Sequence, residues 1–334
     1  MTAYALILPL GFAISFAMAW MVRHAGILDH PNNRSSHTNP TPRSGGLAIV
    51  AAVAACAIAW TFVSQAPPGV GVALAVMAAA GLLGFIDDLI SAGAAEKFLA
   101  LMAVSLAAAF AAGPVAAIDF GFASVTLPFA IGLAGTALWV FVAINVVNFA
   151  DGSNGLVAGA MAIAGLGLTL VSGQPAGLFL TAALIGFLPW NAPNARLFLG
   201  DVGALAIGGW FAVAGLNAVT AQDGISVLLV PLLMLPLLVD ILLTLLARVR
   251  AGYKITQPHR SHGYQILVRL GLPHWRVALA YAAATGWCVI LALIANALAG
   301  VWPFAALVVM SAFLGIVHTR IRAKAKAKGL DLGE

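Results

Sequence analysis

Charge is what this sequence has least of. Lys, Arg, Asp and Glu together make up 8% of its 334 residues, against 62% hydrophobic ones, and mean hydropathy is +1.03. Soluble domains carry about a quarter charged residues, so the shortage excludes an ordinary soluble globule. Cysteine is almost missing as well. Cys56 and Cys288 both sit inside apolar runs without metal-ligand spacing, which excludes a disulfide framework and a zinc site. No internal repeat is present, so solenoids and the inverted halves of a transporter find no support. A concentrated basic domain is lacking too. The net charge is +5, but the bases are scattered among loops or gathered at Arg320, Arg322, Lys324, Lys326 and Lys328, which suits an anionic membrane leaflet better than nucleic acid.

What the chain has instead is a series of long apolar runs. Their lengths predict eleven helices, at about 2–22, 46–65, 70–86, 98–113, 127–147, 155–172, 177–190, 203–219, 226–247, 278–297 and 301–318. The fold class expected is an all-α integral membrane protein of about 10–11 transmembrane helices. The first run ends at Arg23 rather than at a small-residue cleavage site, so it reads as a retained helix and not as a signal peptide. Alternating sides sorts the loops into two sets. All sixteen Lys and Arg fall in loops 23–45, 87–97, 148–154, 191–202 and 248–277 and in the segment after 318. The positive-inside rule makes that set cytoplasmic, with the N-terminus periplasmic and the C-terminus cytoplasmic. Residues 1–320 then form one polytopic domain, and 321–334 a basic cytoplasmic tail. The opposite set holds only Asp119 and Asp223 as acids, and the alternation Ile118, Phe120, Phe122, Val125, Leu127 predicts a short hairpin or amphipathic strand there.

A charge placed in hydrocarbon costs about 2.5–3.5 kcal/mol on insertion scales, so acids and amides collected at one membrane face need a reason. Asp87-Asp88 closes the third run, with Lys97 opening the next; a solvated helix end explains the pair about as well as a site does. In Asn148-Phe149-Ala150-Asp151-Gly152-Ser153-Asn154-Gly155, three acceptor-bearing side chains recur every third residue among glycines, which points to a polar site over a plain turn. Asp201 stands between Gly200 and Val202-Gly203 at a helix start, where it can cap and still spare an oxygen for a metal. Pro258-His259-Arg260-Ser261-His262-Gly263-Tyr264-Gln265 lacks a full metal-ligand set and suits phosphate oxygens or a sugar; a basic loop facing headgroups is the plainer alternative. The first loop, Leu28-Asp29-His30-Pro31-Asn32-Asn33-Arg34-Ser35-Ser36-His37 through Arg43-Ser44-Gly45-Gly46, offers bases and a glycine-opened helix start suited to phosphate.

In this order and on one membrane side, these motifs resemble the polyprenyl-phosphate N-acetylhexosamine-1-phosphate transferase superfamily, over about Asp29 to Gln265. The histidine motif looks closer to O-antigen and exopolysaccharide initiating transferases than to the peptidoglycan precursor enzyme. The resemblance implies transfer of a sugar 1-phosphate from a UDP-sugar to undecaprenyl phosphate, with release of UMP, in the bacterial inner membrane. It implies Mg²⁺, with Mn²⁺ as a substitute, on Asp201 supported by Asp151 or Asp88. It makes Asp87 the candidate base or orienting group, and places Lys97, His259, Arg260 and His262 with Asp87, Asp88 and Asp151 at the reaction. Asn148, Asn154, Asn191, Phe198, Arg43 and Arg196 are assigned to donor binding, with Asn191 and Phe198 in the loop that lines the uridine pocket of relatives. The donor expected is a UDP-N-acetylhexosamine or UDP-6-deoxy-N-acetylhexosamine; membrane lipids are partners, nucleic acid is not, and a homodimer is compatible.

Two positions depart from the pattern. Asn154 stands where many relatives have a second aspartate, keeping an acceptor for a nucleobase N–H but losing charge, and Ala204 replaces a frequent serine. A non-catalytic relative is one alternative they leave. A transporter or flippase of lipid-linked sugars is the other, although its ionisable groups would belong near the bilayer midplane.

Overall fold

The computed structural model describes residues 2–25, 28–29, 40–90, 93–221, 224–254 and 259–332. The expected loop residues His30 to His37, Asp223 and Pro258 lie outside them. The chain is built from helices α1 (Thr2–Ala25), α2 (Gly46–Val63), α3 (Val70–Ile90), α4 (Ala94–Ala112), α5 (Phe129–Ala150), α6 (Leu156–Ser172), α7 (Ala176–Asn191), α8 (Gly200–Thr220), α9 (Leu229–Leu233), α10 (Leu235–Arg250), α11 (Gly263–Arg269), α12 (His274–Leu298) and α13 (Trp302–Ala327). Two short antiparallel pairs complete it: β1 (Leu28–Asp29) with β2 (Thr41–Pro42), and β3 (Ala117–Asp119) with β4 (Ser124–Thr126).

Every predicted apolar run is helical, and eight helices (α1–α5, α8, α12 and α13) are long and apolar enough to cross a membrane. The protein is an all-α, multi-pass membrane protein. Three of the eleven expected spans fall short as single helices. Helices α6 and α7 have 17 and 16 residues, and the run at 226–247 is broken between α9 and α10 at Met234, whose φ of −118° leaves the helical region. Pro236 just beyond it lacks an N–H and its ring crowds the preceding turn, so the break has a local cause. The basic tail expected from 321 is also not separate. It continues α13, where Arg322 and Ala325 are buried and Ala325 packs with Ile266 of α11.

Helix α8 forms the centre, packed against α2, α3, α4, α5, α6 and α7. Its most apolar window is 89% buried, whereas that of α13 is 11% buried, which separates the core of the bundle from its lipid face. Lipid tails are as apolar as leucine, so close packing must hold these helices together, and glycine permits it. A Cβ on Gly46 would overlap Gly203 of α8, one on Gly84 would overlap the Asp201 backbone, and one on Gly208 would stand 2.6 Å from the Ile144 Cα. At the far end of the bundle, β3 and β4 form the expected hairpin, pairing Ile118 with Val125. Phe120 and Phe122 meet Phe304 of α13 there at 5.5 and 5.6 Å between ring centres.

Candidate active site

The polar end is assembled at the start of α8. The Gly45 and Gly46 N–H groups donate to the carbonyls of Phe198 and Leu199 at 2.9 and 2.8 Å, tying the start of α2 to the turn before α8. Gly200 adopts a φ of +74°, which suits glycine, and a Cβ there would stand 2.6 Å from Asp88 Oδ2. Asp88, buried at the end of α3, closes this knot. Its Oδ1 accepts the Asp201 N–H at 3.1 Å, its Oδ2 accepts the Ser44 hydroxyl at 2.9 Å, and its carbonyl accepts a guanidinium N–H of Arg43.

Asp201 itself is gripped from two sides. Lys97 of α4 bridges it to Asp87, standing 3.0 Å from Asp87 Oδ2, while Asn148 Nδ2 donates to Asp201 Oδ1 at 3.0 Å. Asp151 follows at the C-terminal end of α5. Burial, then the charges of Asp201 and Asp88, push its carboxyl up to about 8, so it is largely protonated at neutral pH. Asp87 and Asp201 thus share Lys97 and Asp88 faces Arg43, while the upward push on Asp151 registers the uncompensated negative charge beside it.

An all-oxygen donor set with excess negative charge has the chemistry of a Mg²⁺ site. Asp201 with Asp151 and Asp88 does not make a ready three-ligand group, however. Among the described residues no three Asp, Glu, His or Cys side chains group as ligands; Asp88 holds Ser44 and the α8 backbone, whereas Asp201 is bonded by the Lys97 and Asn148 side chains, which can turn away from it. Mg²⁺ typically takes one or two carboxylates and fills the rest of its shell with phosphate and water, so Asp201, with Asp151 once a bound cation has displaced its proton, would fit as the protein's share.

The histidine segment lies against this cluster. Tyr264 donates its hydroxyl to the Phe149 carbonyl at 2.9 Å, and a Cβ on Gly152 would overlap that hydroxyl. His262 is buried with its ring 6.2 Å from Phe149 and 5.9 Å from Tyr264, and His259 lies 4.7 Å from it with Nδ1 2.9 Å from the Ser261 Oγ. Burial is the main force holding both rings down to about 3. After it come His262, Arg248 and Arg322 for His259, and Arg322, His318 and Arg248 for His262. At neutral pH these histidines are uncharged; they can bond a phosphate oxygen or a sugar but not neutralise it.

Sequence comparisons cover the same residues. Residues 70–219, which carry all of the acid cluster except Arg43 and Ser44, match the model of Glycosyl transferase family 4. Decaprenyl-phosphate N-acetylglucosaminephosphotransferase of Mycobacterium tuberculosis (strain ATCC 25618 / H37Rv) is 32% identical over 298 residues, covering 76% of this chain and 72% of that protein. The chain belongs to the polyprenyl-phosphate N-acetylhexosamine-1-phosphate transferase superfamily. Similar relatives include a probable undecaprenyl-phosphate N-acetylglucosaminyl 1-phosphate transferase of Bacillus subtilis (strain 168), 29% identical over 268 residues, with 75% of this chain and 72% of that one covered. A phospho-N-acetylmuramoyl-pentapeptide-transferase of Mycobacterium sp. (strain KMS) is 33% identical over 245 residues, covering 57% and 66%.

In this superfamily member the residues expected around the nucleoside divide. Asn191 is buried and its amide is committed: Oδ1 accepts the Gly155 N–H at 2.7 Å and Nδ2 donates to the Leu197 carbonyl at 3.1 Å, so it fixes two loops to each other. Asn154 makes a long contact of 3.4 Å from Nδ2 to the Pro193 carbonyl. Phe198 is half-buried beside the α2 start. Arg196 is exposed, its guanidinium 5.0 Å above the Trp190 ring, and it lines a cavity of about 380 Å³ with Arg23, His24 and Thr41. Arg260 contributes its carbonyl to Arg269 Nη1 at 2.9 Å. Sequence reading did not single out Ser44, Tyr264 or His274, whose Nδ1 lies 2.9 Å from the Ser153 hydroxyl. Ser44 and Tyr264 stand inside the quoted motifs, and that adjacency was the available signal.

Proposed function

We propose that the protein transfers an N-acetylhexosamine 1-phosphate, or its 6-deoxy counterpart, from a UDP-sugar to undecaprenyl phosphate at the cytoplasmic face of a bacterial inner membrane. UMP leaves, and the lipid-linked product starts an O-antigen or exopolysaccharide chain. The observation that carries the reading is the convergence of Asp87, Asp88, Lys97, Asn148, Asp151 and Asp201 at one end of an otherwise apolar bundle. That end is where a lipid phosphate and a soluble nucleotide can meet. The similarity to proteins named for polyprenyl-phosphate acceptors supports the same class.

An oxygen of the lipid phosphate attacks the sugar-bearing phosphorus of the donor, and the bond from that phosphorus to the oxygen shared with UMP breaks. Mg²⁺ held by Asp201 and Asp151 would supply neutralising charge to the donor pyrophosphate. Asp88 organises the site, since its oxygens fix Ser44 and the first turn of α8. Lys97 joins Asp87 to Asp201 and offers a cation to a phosphate. Asp87 orients the acceptor; a phosphate monoester with a second pKa near about 6 is mostly ionised at pH 7 and needs little help from a base. The neutral His259 and His262, with Arg260, hydrogen-bond the sugar phosphate from the opposite side.

The test is purified protein in lipid nanodiscs with undecaprenyl phosphate, Mg²⁺ and a panel of UDP-sugars, following UMP release and the mass of the lipid product. One sugar giving both signals supports the reading. Silence with every sugar sinks it.

A further inference from the structure

Asp88 and Asp240 are the acidic side chains that are buried among the described residues. Asp88 belongs to the cluster above; Asp240 lies in α10 and nothing so far uses it. Its oxygens are nevertheless fully occupied. Oδ1 accepts the Gly263 N–H at 2.5 Å and stands 3.6 Å from His318 Nε2, while Oδ2 accepts the Tyr264 N–H at 3.1 Å and the Tyr281 hydroxyl at 2.5 Å. Burying a carboxylate is costly unless such donors surround it. The two backbone donors are the first N–H groups of α11, which have no partner within their own helix. Gly263 is required for the approach, since a Cβ there would stand 2.8 Å from Asp240 Oδ1.

The consequence runs in both directions along the chain. Immediately before Gly263 is His262; immediately after it is Tyr264, whose hydroxyl reaches the Phe149 carbonyl beside Asn148 and Asp151. From α13, Arg322 Nη1 donates to the Ser261 carbonyl at 2.8 Å, and His318 Nε2 lies 3.1 Å from Thr244 Oγ1, one turn along α10 from Asp240. The histidine segment is therefore clamped between α10, α12 and α13.

We propose that Asp240 is a positioning residue for the transfer reaction, holding the His259–His262 segment against the Asn148–Asp151 loop through the backbone of Gly263 and Tyr264. It touches no substrate. The proposal rests on the transferase reading above, and its test separates the two. Asp240→Asn, and the milder Tyr281→Phe in case the first does not fold, are compared with wild type and with the same changes in a His262→Ala background. A residue that acts through the histidine segment gives a coupled cycle. Asp240→Asn is expected to lower kcat on the order of 30-fold in wild type but less than about 3-fold beside His262→Ala, and Tyr281→Phe about 5-fold in wild type. Amide hydrogen exchange over 259–266 should rise in both variants while that over 145–151 changes less. Equal losses of kcat in both backgrounds, or unchanged exchange over 259–266, would overturn the proposal. If wild type releases no UMP from any UDP-sugar, the reaction reading falls, and the exchange comparison alone upholds or overturns the anchoring.

Discussion

The two sides of the polar end are built on opposite plans. On the acid side the side chains of Asp201 and Asp87 remain 31% and 19% exposed and share Lys97, while Asp151 is met by no cation among the described residues. On the histidine side Asp240, His262, Arg248 and Arg322 are all buried, and each oxygen of Asp240 is met by donors from the protein itself. The first arrangement is electrostatically unfinished and suited to receive cationic charge together with phosphates. The second meets its buried carboxylate with donors on both oxygens and holds a shape.

Substitutions should tell the sides apart. Asp201→Asn removes charge from the unfinished side, and transfer measured as UMP release is expected to fall on the order of 100- to 1,000-fold. Thermal unfolding in detergent should move little, because no buried partner is orphaned; a large loss of stability would erase the contrast. Acidity should then pull the two sides in opposite directions. Asp151, with its carboxyl raised to about 8, costs the folded state progressively as pH climbs from about 4 to 8, so Asp151→Asn should gain stability relative to wild type over that window. His262, lowered to about 3, costs the folded state as pH falls from about 6.5 towards 3, so His262→Gln should gain on the acid side instead. Paired melting curves from pH 4 to 8 check both signs, and slopes of the same sign would break the comparison. The smallest effect is expected for Tyr264→Phe, which deletes the hydrogen bond from the Tyr264 hydroxyl to the Phe149 carbonyl. It should cost about 1 kcal/mol of stability by denaturant or thermal titration, and a neutral result would mean that this bond does not help hold the sides together.

Much of this architecture is legible because charge is so scarce. An aspartate in an apolar chain has few uses, so Asp87, Asp88, Asp151 and Asp201 stand out, and the structure brings them together with Lys97 and Asn148. The helical runs are equally plain from length and hydropathy, and the hairpin at 117–126 from its alternation. What sequence conceals is direction. Asp88 and Asp87 are neighbours, yet one turns its oxygens to Ser44 and the α8 backbone while the other pairs with Lys97. Asn191 reads as a nucleoside contact and is instead a bolt between loops, a role set by Gly155, which lies 36 residues away. Arg322 reads as part of a lipid-facing tail but reaches Ser261, 61 residues earlier. Such pairings depend on which helices end up side by side, and no local pattern encodes that.

The glycine contacts beneath Asp201 bear on how this protein can be altered. Gly46, Gly84 and Gly203 bring main chain against main chain, so no side chain stands between the acid and its supports that could be swapped for a longer or shorter one. Any attempt to retune sugar preference there would displace whole helices. In the neighbouring His259–Tyr264 segment only His259 and Arg260 are half-buried, so engineered variation in the sugar accepted should be sought at those two side chains while Gly263 and the glycine frame are left alone.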